Sequence, residues 1–265
     1  MQLIDIGANL SHESFRSDLD AVIERAREAG VAQFIVTGAS EEESASASDL
    51  ARTRPGVLFS TAGVHPHLAR EWRNGTEEVI RALAGRPEVV AVGEAGLDFN
   101  RDFSPRDKQA QVFEAQLDIA ADLRLPVFMH ERDAHEKLVE ILKPRRQHLG
   151  NAVIHCFTGT ADELDAYLDL DLHVGITGWI CDERRGHHLR ELVRRIPFNR
   201  LMLETDAPYL LPRDLTPKPK SRRNEPMHLR HILETVARCR EMPVEELAGA
   251  TTETTKAFFR LPDPP

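Results

Sequence analysis

The stretch Val89-Val90-Ala91-Val92-Gly93-Glu94-Ala95-Gly96-Leu97-Asp98 decides how the chain is read. Five small or β-branched apolar residues run straight into a carboxylate. An unbroken apolar run of this kind marks a strand buried on both faces of a parallel sheet. A carboxylate buried at its end costs free energy unless a cation or hydrogen bonds satisfy it. Gly93 and Gly96 remove bulk on either side of Glu94, so backbone or ligand can approach closely. Taken alone, Glu94 could equally cap the next turn. The pattern recurs, however. The apolar runs 126–129, 152–154 and 201–203 end in His130, His155 and Glu204-Thr205-Asp206. Several strands that each end in a metal-capable side chain predict one site at one end of one sheet.

Working outward, strands are predicted over 3–6, 33–36, 57–62, 126–130, 152–154, 172–176 and 201–204, besides the Glu94 strand. Helical periodicity falls between them, over 18–29, 41–54, 76–83, 104–123, 133–142, 162–168 and 186–196. Ser104-Pro105 reads as a helix cap and first turn. The tail 227–259 is helical in pieces, broken by Pro243. Eight strands alternating with helices, at a spacing of about 30 residues, predict a (β/α)8 TIM barrel. An open doubly wound sheet concentrates its chemistry at one switch point. Here candidate ligands follow strands three, four, five, six and eight, as a barrel mouth requires. We expect one domain over 1–265, with the helices from about 227 packed on the barrel.

Composition narrows the function. With 34 Lys and Arg against 43 Asp and Glu, the formal net charge is −9. That argues against tight non-specific duplex binding, which needs an extended basic face, but leaves room for nucleic acid held by a local basic loop. No apolar run is long enough to span a membrane. No signal peptide is visible in Met1-Gln2-Leu3-Ile4-Asp5. Three widely spaced cysteines, Cys156, Cys181 and Cys239, argue against a disulfide framework and for a reducing cytoplasm.

Three clusters carry the chemistry. A lone histidine at a strand end is more often a core residue than a ligand. His130 and His155 on neighbouring strands, with Glu94 before them and Asp206 later, are read instead as a divalent-metal set. Glu204 and Asp206, two apart, would share a face on a continuing strand and repel unless a cation or proton lies between them. In His65-Pro66-His67, His65 can meet metal or phosphate, whereas His67 reads as an exposed loop residue; His187-His188 reads as solvated surface. Finally, 213–223 holds Arg213, Lys218, Lys220, Arg222 and Arg223 against a single acid, Asp214. In an acidic chain, a basic loop leaving the mouth just after Asp206 suggests an anionic substrate.

These motifs together resemble the TatD family of metal-dependent deoxyribonucleases over nearly the whole chain. The resemblance rests on Ser60-Thr61-Ala62-Gly63-Val64-His65-Pro66-His67, Gly93-Glu94-Ala95-Gly96-Leu97-Asp98-Phe99, Pro126-Val127-Phe128-Met129-His130, His155-Cys156-Phe157-Thr158-Gly159, Glu204-Thr205-Asp206-Ala207-Pro208-Tyr209-Leu210 and Arg222-Arg223-Asn224-Glu225-Pro226. It implies a TIM-barrel phosphodiesterase in which Glu94, His130 and His155 bind metal, Asp206 is a metal-linked acid/base, and His65 and the basic loop contact phosphate. It further implies a magnesium-dependent 3′–5′ exonuclease on single-stranded DNA and RNA, with a role in repair of oxidative damage. Most of the family ends strand one with Asp-Thr-His-x-His, but here Asp5-Ile6-Gly7-Ala8-Asn9 lacks both histidines. That loss weakens one half of a zinc pair and favours Mg²⁺, or Mn²⁺, over Zn²⁺.

On this reading Asp206 or Glu204 takes the proton of a metal-activated water. Arg213, Lys218, Arg222 and Arg223 hold phosphates, and Phe99, Trp179 and Tyr209 can stack bases or pack in the rim. The expected partner is single-stranded DNA or RNA, with no membrane, no obligate protein partner and a monomeric state. Two alternatives are a metal-dependent amide or ester hydrolase, which has no need of the basic loop, and a non-catalytic binding barrel.

Overall fold

The computed structural model describes residues 1–265. Strands β1 (Leu3–Ala8), β2 (Val31–Val36), β3 (Leu58–Ala62), β4 (Val89–Asp98), β5 (Val127–Arg132), β6 (Ala152–Ile154), β7 (His173–Ile176) and β8 (Leu201–Leu203) pair in chain order, every neighbour parallel. The seam between β8 and β1 is drawn together past the end of β8, by a parallel bridge between Ala8 and Ala207. There the Asp206 N–H donates to the Gly7 carbonyl at 2.8 Å and the Asn9 N–H to the Ala207 carbonyl at 2.7 Å. One helix follows each strand in turn: α1 (Leu19–Glu28), α2 (Glu41–Arg52), α3 (Thr76–Ala84), α4 (Arg106–Leu123), α5 (His135–Arg145), α6 (Ala161–Asp169), α7 (His187–Leu192) and α8 (Leu229–Arg240). The predicted (β/α)8 barrel is what the chain forms.

Alternate residues of the strands fill the barrel with Ile4, Ile6, Ile35, Phe59, Val90, Phe128, Val153 and Met202. Phe258, Phe259 and Leu261, at the end of α9 (Val244–Phe259), join this inner cluster. Thr252 donates to the Gln2 carbonyl at 2.6 Å, Gln33 to the Pro262 carbonyl at 3.0 Å and Asn151 to the Phe258 carbonyl at 3.1 Å. These partners sit near strand beginnings, so α9 and the tail seal the N-terminal end. The C-terminal ends of the strands are left for chemistry.

Three local expectations change. Strand β8 stops at Leu203, and Asp206 has φ +55°, so Glu204 and Asp206 do not share a face of a continuing strand. Ser104 does not cap α4. Its hydroxyl donates to the His67 carbonyl at 2.8 Å and accepts the Arg70 N–H at 3.0 Å, fastening the His65-Pro66-His67 turn instead. Helix α7 ends at Leu192, short of the predicted 196.

Candidate active site

The decisive stretch is an irregular strand. Between Val92 and Ala95, β4 advances three residues while β5 advances two, from Val127 to Met129. The extra residue is a bulge, a device that re-aims a side chain. Gly93 and Gly96 have φ of +143° and +144°, and a Cβ on either would collide with the carbonyl oxygen of Phe128 or His130. Only glycine allows β5 this close, and Glu94 is thereby held at the mouth.

Three imidazoles meet Glu94 on one oxygen. Oε1 lies 2.8 Å from His155 Nε2, 2.9 Å from His130 Nδ1 and 3.2 Å from His65 Nε2. Asp98, at the end of β4, adds a second carboxylate. Its Oδ2 lies 2.6 Å from His67 Nε2 and 3.4 Å from His130 Nε2, and its Oδ1 accepts the N–H groups of Asn100 and Arg101 at 3.0 and 2.8 Å. Glu204 stands behind His155. Its Oε2 is 3.3 Å from His155 Nδ1, and its Oε1 accepts the Cys156 N–H at 2.5 Å. Such a carboxylate behind a histidine fixes the ring and directs its other nitrogen into the site.

The electrostatics follow from burial and these partners. Burial opposes ionisation of Glu94, yet His155, His65 and His130 outweigh it and hold its pKa well below the ordinary carboxylate range. Burial likewise opposes charge on Asp98, but His130, His67 and backbone N–H groups keep it ionised. His65 goes the other way. Desolvation lowers it to about 4, so it is neutral at pH 7. Its Nδ1 accepts the His67 N–H at 3.1 Å, so the neutral ring carries its proton on Nε2, facing Glu94. Asp206 is pushed up to about 7, chiefly by desolvation and against the pull of His155.

The donor chemistry fits a divalent cation. His65, Glu94 and His130 offer ligand atoms that all lie within 4.8 Å of one another. Buried His130 Nε2 makes no well-aligned hydrogen bond, though Asp98 Oδ2 stands 3.4 Å away. An orphaned imidazole nitrogen beside a carboxylate oxygen is a pair that an ion would satisfy.

A model of the TatD-related DNase family matches residues 4–260. The chain belongs to that family. It is a hydrolase of the nuclease class. It is 53% identical over 259 residues to a Pantoea vagans protein named 3′-5′ ssDNA/RNA exonuclease TatD, covering 98% of this chain and 100% of that one. An Erwinia tasmaniensis protein of the same name is 54% identical, with the same coverage. Among solved structures, the TatD homologue YjjV of Escherichia coli K12 superposes with a TM-score of 0.89 at 29% identity, covering 98% of each chain. Family membership implies a divalent metal, in agreement with the His-Glu-His donor set.

In this TatD-family chain Glu94, His130 and His155 converge as neighbours on one oxygen. Asp206 makes no hydrogen bond to that cluster but feels the charges of His155 and Glu94, and its Oδ1 accepts a hydrogen bond from Asn9 Nδ2 at 3.1 Å. Glu204 is fully buried with both oxygens engaged, so it is placed to orient His155, not to meet a water. His65 faces Glu94, whereas His67 is no bland loop residue, because it binds Asp98. Asp98 and His67 escaped sequence reading. The available signal was the alternation Glu94, Gly96, Asp98 past the bulge, which puts both carboxylates on one face.

The basic loop is more committed than its composition suggests. Arg223 donates to Asp18, Glu225 and the Ser14 carbonyl and lies over the Phe15 ring. Arg213 faces Asp182 and Glu183 at 3.6 and 3.4 Å. Both were expected to hold phosphate; in the structure each is paired with acids, Arg223 with Asp18 and Glu225 and Arg213 with Asp182 and Glu183. Lys218, Lys220 and Arg222 remain exposed. Tyr209 is 52% exposed beside His12, and Phe103, 53% exposed, packs its edge on His67. Phe99 is tied up under the Arg106 guanidinium.

Proposed function

We propose that this chain is a divalent-metal-dependent 3′–5′ exonuclease acting on single-stranded DNA and RNA. The observation that carries the reading is the single oxygen of Glu94 shared by three imidazoles at the mouth of a TatD-family barrel. The relatives' names support the substrate and polarity. We assign metal binding to Glu94, His130 and His155, with Asp206 nearby, and Mg²⁺ or Mn²⁺ as the working ion. When bound, the cation neutralises phosphate oxygens and lowers the pKa of a coordinated water.

The chain's own residues do the rest. Glu204 fixes the His155 ring. Asp206, poised near neutrality, accepts the proton of the attacking water and returns it to the leaving oxygen. His65 presents an N–H to Glu94, or to a phosphate oxygen that displaces it. Exposed Tyr209 and Phe103 stack the terminal bases, which tolerates any sequence. Arg222, with Lys218 and Lys220, meets the backbone that trails out of the site. Repair of oxidatively damaged DNA is the setting we propose for such trimming.

Oligonucleotides labelled at the 5′ end, single-stranded and duplex, DNA and RNA, test this with Mg²⁺. A ladder shortening from the 3′ end of the single strands is expected. Release of a labelled mononucleotide at the outset would reverse the polarity, and preference for duplex would remove the single-strand assignment.

A further inference from the structure

A second group of metal-binding side chains lies on a different part of the fold. Cys181 ends the short 3-10 turn Gly178–Cys181 that follows β7. Asp214 belongs to the loop after β8, and His231 to α8. Their sulfur, oxygen and nitrogen atoms all lie within 4.8 Å of one another. None takes part in the site around Glu94. We propose that Cys181, Asp214 and His231 form a separate site for a thiophilic divalent cation, Zn²⁺ above all.

Three observations carry this. The ligand types suit zinc and not magnesium, since thiolate and imidazole are soft or borderline donors. The donors, all within 4.8 Å of one another, can close on an ion with modest movement: bonds of about 2.0 to 2.3 Å to N, O and S put neighbouring donors about 3.2 to 3.7 Å apart in a tetrahedron. His231 Nε2 and Asp214 Oδ1 are now 2.6 Å apart, so they part slightly and the sulfur moves in. The sulfur is buried, and its one partner is weak, the Thr235 hydroxyl at 3.6 Å, one helical turn after His231 on the same face of α8. Asp214 and Thr235 border an open cleft of about 660 Å³ through which water reaches the edge of the group; Arg190, Arg194 and Arg238 also line it, and Cys181 and His231 do not.

The balance of the step is simple. The Cys181 thiol gives its proton to solvent, the hydrogen bond between His231 and Asp214 breaks, and three metal–ligand bonds form. Thiolate and carboxylate together neutralise the dication. Because the metal displaces the thiol proton, binding strengthens as pH rises. The ion would fasten the loop that carries Lys218, Lys220 and Arg222 to α8, and so fix where those cations stand.

The test stands independently of the nuclease reading. Full-length protein is stripped with a chelator and titrated with Co²⁺. A thiolate ligand gives an intense near-ultraviolet charge-transfer absorption, which nitrogen and oxygen ligands do not. The band is expected in the wild type and in Cys156→Ser, the cysteine beside the Glu94 site, and absent in Cys181→Ser. Zinc counted per chain after gel filtration should fall by one equivalent in Cys181→Ser and in His231→Gln, the latter a partly exposed position that leaves the core intact if the serine variant misfolds. A wild type without the band, a band lost with Cys156 instead, or equal zinc in wild type and His231→Gln would overturn the proposal.

Discussion

Oε1 of Glu94 collects three imidazole nitrogens between 2.8 and 3.2 Å. Glu94→Ala removes the shared acceptor, and we expect loss of metal-dependent hydrolysis by at least about 100-fold with an unchanged far-ultraviolet spectrum; the check is single-turnover cleavage alongside circular dichroism. Glu204 acts one step back. Glu204→Gln should cost roughly 10–100-fold in metal affinity or activity, read as a rightward shift of the Mg²⁺ activation curve. A variant saturating at wild-type Mg²⁺ would show that the His155 ring needs no holder. On the proposed mechanism Asp206 sets the acidic limb of the pH profile. Asn9 donates to its carboxylate and so lowers its pKa against the upward push of burial. Asn9→Ala should therefore move the acidic limb to higher pH; no movement would take Asp206 out of proton transfer. Glu94, His130 and His155 were legible because apolar runs lead into them. Asp98 and His67 were not, because the bulge that aims β4 depends on contact with β5, and pairing partners are not written in a single strand.

At the scale of loops and strands, charge in sequence and charge in space diverge. Arg223 reads as one of five basic residues, yet it joins the β8–α8 loop to Asp18, which lies 205 positions earlier, ahead of α1. Arg223→Ala should destabilise the fold by about 1–2 kcal/mol, a figure for charged hydrogen bonds discounted for partial exposure. Arg222→Ala should leave the melting temperature alone and flatten the salt dependence of substrate binding by about one phosphate contact. Denaturant melts and salt titrations of both variants check the pair, and a reversal of roles would refute the assignment. Strand one shows the same lesson in reverse. A Cβ on Gly7 would lie 2.5 Å from Glu204 Oε2 and 3.2 Å from the Phe128 ring. The position that carries a histidine in the family pattern is here the space that Glu204 fills, so restoring histidine there requires Glu204 to move.

Across the whole molecule, the alternation of eight apolar runs with helical segments was enough to read the barrel, because each βα unit is locally encoded. Its closure was not readable. It depends on Ala8 meeting Ala207 and on α9 sealing the strand beginnings, contacts that no local pattern signals. The outcome is a barrel whose lower end is packed and whose upper end gathers carboxylates and imidazoles into the centre we propose as a divalent-metal nuclease site. The most direct measurement of that claim is cleavage of end-labelled single-stranded DNA by the wild type and Glu94→Ala, first in EDTA and then after adding back Mg²⁺ or Mn²⁺. The account predicts no cleavage in EDTA, recovery by the wild type alone on adding the metal, and none by the variant. Undiminished cleavage in EDTA, or wild-type turnover by Glu94→Ala, would contradict it.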